Sequence, residues 1–242
     1  MSISEKLTTI AENEQKVYEA GKKAEYDKFW DAFQDNGNRT NYTYIFYGGG
    51  FDINNFYPKY DIKPEGDATR MFCAWEKEEH KFSLAERLRE CGVVLDTSKA
   101  TNLCNAFSYT RFTEFPTIDL SSLGTSGYQS YYSIFGNNWQ VKKIEKIIMN
   151  ENTPIYAWFS NCVGLEHLVI EGAIGQNGFN ISYSKNLTKE SILSILKALY
   201  LGITETKTIT FSTVHQTIIE TDADCKPYWE AAKAAGWSFV YA

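Results

Sequence analysis

Apolar positions in the middle of the chain recur in one pattern. A phenylalanine is followed by four or five mostly polar residues, an apolar residue, two mostly polar residues and a second apolar residue. The pattern occurs at Phe107-Ser-Tyr-Thr-Arg-Phe112-Thr-Glu-Phe115, at Phe135-Gly-Asn-Asn-Trp-Gln-Val141-Lys-Lys-Ile144 and at Phe159-Ser-Asn-Cys-Val-Gly-Leu165-Glu-His-Leu168. The phenylalanines at 107, 135 and 159 are 28 and then 24 residues apart. Each unit predicts one short strand with an apolar inner edge. No unit can bury that edge alone, whereas stacked units share one core.

A repeat of 20–29 residues with one strand per unit is the leucine-rich-repeat signature. The spacing therefore predicts a short, irregular leucine-rich-repeat solenoid over residues 70–186. Stacked in register, Phe112, Val141 and Leu165 line up, as do Phe115, Ile144 and Leu168, and all six are expected to be buried. The same alignment puts Thr113, Lys142 and Glu166 on one outward row and Glu114, Lys143 and His167 on the next, with opposite charges side by side.

Upstream, Ile3, Leu7, Ile10 and Val17 follow the spacing of a coiled-coil seam. They predict a helix from residue 3 to about 34 whose first half packs against copies of itself or a partner. Its later part, with Tyr26, Phe29, Trp30 and Phe33, suits docking on a globular body. Thr43 to Tyr47 is a strand candidate broken by Gly48-Gly-Gly50, and residues 55–64 are extended. Phe82 to Arg89 reads as a short helix and Val93 to Leu95 as a strand. Downstream, Leu187, Ile192, Ile195, Leu196 and Leu199 share one side of an amphipathic helix. A strand over 206–212, a helix over 222–235 and a strand over 237–241 complete the chain. The fold class is α+β: an N-terminal helix (1–38), an extended connecting segment (39–69), the solenoid (70–186) and a C-terminal α/β capping segment (187–242).

Composition narrows the function more than the fold. The formal charge of −6, without a basic patch, argues against a nucleic-acid partner. No apolar run reaches the length of a membrane span, so no membrane insertion is expected. The polar N-terminus lacks the apolar core of a secretory signal, which suggests cytoplasmic synthesis. Cysteines 73, 91, 104, 162 and 225 are odd in number and form no C-x-x-C, so neither a zinc site nor a disulfide framework is indicated. Cys104 and Cys162 precede repeat strands and read as small packing residues. His80, His167 and His215 share no ligand spacing, and neither metal nor cofactor is expected.

Two regions stand out as candidate binding surface. The small-residue and tyrosine loop from Leu123 to Tyr132 lengthens one unit, and such insertions map to one face of a repeat array. It offers Tyr128, Tyr131 and Tyr132, with Trp139 at the following turn. Lys143 and His167 lie on the outward strand positions. A glycan-acting enzyme would need a carboxylate pair such as Glu114 with Glu166. Such a pair requires a separation of about 5–10 Å and one pKa raised by burial. Exposed strand positions in successive units do not raise a pKa, so no catalytic residue is assigned.

The segment Leu165-Glu-His-Leu-Val-Ile-Glu-Gly-Ala-Ile-Gly-Gln-Asn-Gly-Phe-Asn-Ile-Ser182, with Leu187-Thr-Lys-Glu-Ser-Ile-Leu193 and the closing Ala-Ala-Gly-Trp237, resembles the BspA-like leucine-rich-repeat proteins of gut Firmicutes and of their phages and prophages. Residues 10–30 and Pro58-Lys-Tyr-Asp-Ile-Lys-Pro64 resemble the leader region of the prophage-encoded members. The resemblance implies a surface, adhesion or virion role without chemistry. The expectation is a phage structural or receptor-binding protein (tail, baseplate or head fibre) located in the virion. It would associate with itself as a homotrimer or with other virion proteins, and bind a host-surface protein or glycan. A bacterial surface adhesin is the alternative, and a glycan-acting enzyme the second.

Overall fold

In a computed structural model, the described residues are 13, 16, 21, 24–31, 42–46, 56–76, 81–123 and 131–242. The expected seam of Ile3, Leu7, Ile10 and Val17, the triple glycine at 48–50, His80 and Tyr128 lie outside them. In chain order the elements are α1 (Leu84–Cys91), β1 (Glu114–Asp119), β2 (Lys143–Met149), β3 (His167–Gly172) and β4 (Phe179–Asn180). They are followed by α2 (Lys189–Ala198), β5 (Lys207–Phe211), α3 (Gln216–Thr221), α4 (Lys226–Ala235) and β6 (Trp237–Tyr241). Residues 24–31 are also helical.

The apolar spacing sets the pairing. β1, β2 and β3 form one parallel sheet in that order. Phe115 pairs with Ile144 and Ile144 with Leu168, which is the expected register. Phe112, Val141, Leu165, Phe115, Ile144 and Leu168 are all buried. Glu114, Lys143 and His167 lie side by side on the outer face. A second parallel sheet has the order β4-β5-β6.

The chain is α+β, but it is not the leucine-rich-repeat solenoid expected over 70–186. Paired strands fall into two separate three-stranded sheets, and the edges of the first are closed by side chains and helices. At β3, helix α2 stands where a further strand would lie. Ser191 Oγ accepts from Leu168 N (2.9 Å) and donates to Glu166 O (3.0 Å). Ser194 Oγ accepts from Ile170 N (2.9 Å). At β1, Thr97 Oγ1 accepts from Asp119 N (2.9 Å) and donates to Asp119 O (2.7 Å), while Ser83 bridges Glu114 and caps α1. Hydroxyls that satisfy edge groups remove the template for further pairing.

A stack of phenylalanines runs through the core alongside its leucines and isoleucines. Phe46, Phe72, Phe107, Phe135 and Phe159 stack at successive centroid distances of 4.8, 5.8, 5.7 and 5.9 Å. Each phenylalanine sits in a left-handed turn joined to its neighbours by main-chain bonds such as Phe72 N to Ala106 O (2.7 Å) and Phe107 N to Ile134 O (3.0 Å). Nine non-glycine residues in these turns have positive φ, including Tyr109 (55°), Asn137 (61°) and Asn161 (57°). Stacking holds a conformation that costs each residue energy when isolated.

Residues 43–46, expected as part of a strand, form one of these turns, with Tyr44 at φ 58°. The strand expected at 93–95 reduces to one bridge between Leu95 and Ile62. Trp30 is wholly buried and packs near Phe46 and Phe56 (6.0 and 6.4 Å between centroids), so the later part of the N-terminal helix docks as its aromatic spacing suggests.

Candidate binding surface

Three surfaces carry the sequence candidates, and they occupy different parts of the units. The first is the outer face of the β1–β3 sheet. Lys143 and His167 meet there as direct neighbours, with His167 exposed. Around them lie ion pairs between Lys142 and Glu166 (2.5 Å), Lys146 and Glu171 (2.6 Å), and Arg89 and Glu145. Exposed pairs of this kind contribute little stability and mark a solvated face.

Glu114 and Glu166 do not form an acid–base pair. β2 runs between them, Glu114 accepts from Ser83 Oγ (3.3 Å), and the Lys142 ammonium beside Glu166 holds that carboxyl below its ordinary range. A general acid needs the opposite shift. Burial pushes the Cys162 thiol up to about 12 and the Cys73 thiol to about 11, which keeps both protonated and unreactive at neutral pH. Among the described residues no group of three His, Cys, Asp or Glu is placed to hold a metal ion.

The second surface is the entry rim of the turns. Tyr132 stacks on Tyr156 at 5.4 Å, and the two tyrosines are 37 and 45% exposed. Tyr131 is half-buried against the core, and its carbonyl accepts from Trp158 Nε1 (2.9 Å). Arg70 lies over the Tyr44 ring and donates to its hydroxyl (2.8 Å).

The third surface is the exit rim, and it was not legible as a unit. At Phe72, Phe107, Phe135 and Phe159, the residue two positions on takes the second left-handed position. Tyr109 N bonds Gly136 O (3.0 Å) and Asn137 N bonds Ser160 O (2.7 Å), which sets Tyr109, Asn137 and Asn161 in one row. Ser184 Oγ donates to Cys162 O (3.0 Å) and brings Tyr183 next in that row. Asn161 Nδ2 donates to Asn137 Oδ1 (2.8 Å), so the two amides form a short ladder.

A parallel row two residues on carries Arg111, Trp139 and Val163. The Arg111 guanidinium lies 5.7 Å from the Trp139 ring centre. Tyr109, Trp139, Val163 and Tyr183 are between 38 and 46% exposed. The available signal was the offset itself: Tyr109, Asn137 and Asn161 each follow a stacked phenylalanine by two positions.

Beneath the exit rim, Asn138 is wholly buried and fully bonded. Its Oδ1 accepts from Thr110 N (2.7 Å) and Thr110 Oγ1 (2.9 Å), and its Nδ2 donates to Phe107 O (2.7 Å) and Phe135 O (2.8 Å). Cys162, one unit on, donates its thiol to Phe135 O (3.1 Å), a role beyond the apolar packing expected of it. These bonds fix the backbone on which Tyr109, Asn137 and Trp139 stand. No helix among the described residues is long and apolar enough to cross a membrane. No protein-family model matches the chain, and neither a curated protein nor a solved structure matches it significantly.

Proposed function

We propose that this chain is a non-enzymatic surface-presenting protein, a structural or receptor-binding component of a phage particle. The observation that carries the binding part is the exit rim. Rings and amides are held there in register on a stacked scaffold, and partly exposed Tyr and Trp are the side chains most often used as binding anchors. The phage setting rests on the resemblance of residues 10–30 and 58–64 to prophage-encoded members of the BspA-like group, and of residues 165–182 to that group as a whole. Self-association as a trimer, or attachment to other virion proteins, is assigned to the seam of Ile3, Leu7, Ile10 and Val17.

The test is protein identification in particles purified by density gradient after prophage induction in the bacterium that carries the gene. Peptides of this chain should band with capsid proteins. Recovery of the chain from the cell envelope alone would replace the virion reading with a surface adhesin.

A further inference from the structure

Building on the reading that this chain binds through its surface, we infer that the exit rim is a site for a neutral, extended saccharide. Three observations converge on it. The rim is linear: Tyr109, Asn137, Asn161 and Tyr183 follow one another across neighbouring units, which lie at roughly the 4.8 Å spacing of paired strands. A chain molecule, not a compact ligand, matches a row of that shape.

The chemistry of the rim is that of hydroxyl recognition. Half-exposed rings at Tyr109, Trp139 and Tyr183 present apolar faces on which the C–H face of a pyranose stacks. Between them the amide ladder uses Asn161 Nδ2 on Asn137 Oδ1. This leaves the Asn137 amino group to donate and the Asn161 carbonyl oxygen to accept, the pair that a vicinal diol needs.

The site is also preorganised. Asn137 and Asn161 are held at positive φ by bonds between turns, and the buried Asn138 locks the strand entry below Trp139. A rigid site avoids the ordering cost that weakens binding by flexible loops. Neither row carries a carboxylate, and their one charged side chain, Arg111, is already engaged, with its guanidinium over the Trp139 ring and its Nε donating to Glu76 O. The charged sheet face, by contrast, is occupied with its own ion pairs.

The experiment is binding of the full chain to a printed array of neutral oligosaccharides, with sulfated and uronic-acid oligosaccharides beside them. Four variants are compared: Trp139→Ala, Tyr183→Ala, Asn161→Gly and Tyr228→Ala. Asn161→Gly removes the amide while glycine accepts the left-handed backbone. The Tyr228→Ala control lies on α4, outside both rows, and circular dichroism and Tm confirm that each variant is folded.

Neutral saccharides should bind. Trp139→Ala and Tyr183→Ala should each weaken binding about ten-fold or more, the usual loss for an aromatic anchor, while Tyr228→Ala should leave it intact. Binding confined to the anionic saccharides, binding indifferent to Trp139 and Tyr183, or no binding to any neutral saccharide would each overturn the inference. The virion reading is judged separately, by presence in particles, and survives a negative array.

Discussion

At the scale of single residues, buried polar side chains decide more than the exposed charges do. Asn138 satisfies four partners from a fully buried position. Asn138→Ala would orphan the Phe107 carbonyl and the two Thr110 donors and leave Phe135 O only the weak Cys162 thiol donor, at about 1–3 kcal/mol for each group that water cannot reach. A net loss of about 3 kcal/mol is expected, read as a lower denaturant midpoint at unchanged slope. Asn138→Thr should recover part of it, because Thr110 occupies the matching place one unit earlier.

His215 makes a second residue-level prediction. It is buried, its Nε2 lies 3.2 Å from Lys185 O, and its ring stands edge-on to Phe211. Burial lowers its pKa below the ordinary 6.5, against the smaller opposing effect of the Lys185 carbonyl. The unfolded state then binds the proton more readily than the folded one. Stability from this group is complete above pH 6.5 and falls as pH drops toward the lowered folded value. His215→Gln should flatten the fall in stability that the wild type shows below pH 6.5, leaving only the carboxylate losses. An unchanged slope in the variant would show that His215 is not the group responsible.

At the scale of elements, the register of β1–β3 was legible and the end of the sheet was not. Period, inward edge and outward charge rows all follow from apolar spacing, and they recur in the pairing of Phe115, Ile144 and Leu168. The sequence pattern also places a helix over Leu187–Leu199, but nothing in its amphipathic stripe says that Ser191 and Ser194 would bond a strand edge. Polar residues near a helix stripe read as solvated, and only the tertiary position of α2 makes them edge caps. The same blindness hid the turn at 43–46, whose β-prone residues are overruled by the stack on Arg70 and Phe72.

A prediction belongs to this interface. In a Ser191→Ala/Ser194→Ala double variant, the amides of Leu168 and Ile170 lose their acceptors. Their hydrogen exchange should speed by about ten-fold or more, as expected when roughly 1.4 kcal/mol of local protection is lost. Unchanged exchange at both amides would mean that the helix backbone, not the hydroxyls, shields the edge.

At the scale of the whole molecule, one apolar core runs from Trp30 to Trp237, and the candidate binding residues lie on different faces around it. Lys143 and His167 sit in a charged face that serves solvation, whereas Trp139 stands with residues that sequence reasoning left out because they were separated by about 20–30 positions. Tyr109, Asn137, Asn161 and Tyr183 become neighbours only once the turns stack. The proposed seam at the N-terminus has its own test, and Trp30 sets its limits. A truncation that removes Trp30 would strip the core, so the informative variant lacks residues 1–20 only. The full chain should run as a trimer in solution and this truncated chain as a monomer. Equal masses would remove the seam from the account.

The proposed role sets the turn rim against a host surface. The most direct measurement is the rate at which phage particles adsorb to cells of the bacterium that carries the gene, cured of the prophage, in the presence of excess soluble chain. Wild-type chain and a Lys143→Ala/His167→Ala variant should slow adsorption equally, while a Trp139→Ala/Tyr183→Ala variant should not slow it. Adsorption that ignores the wild-type chain, or that responds to the sheet-face variant and not to the rim variant, would contradict the account.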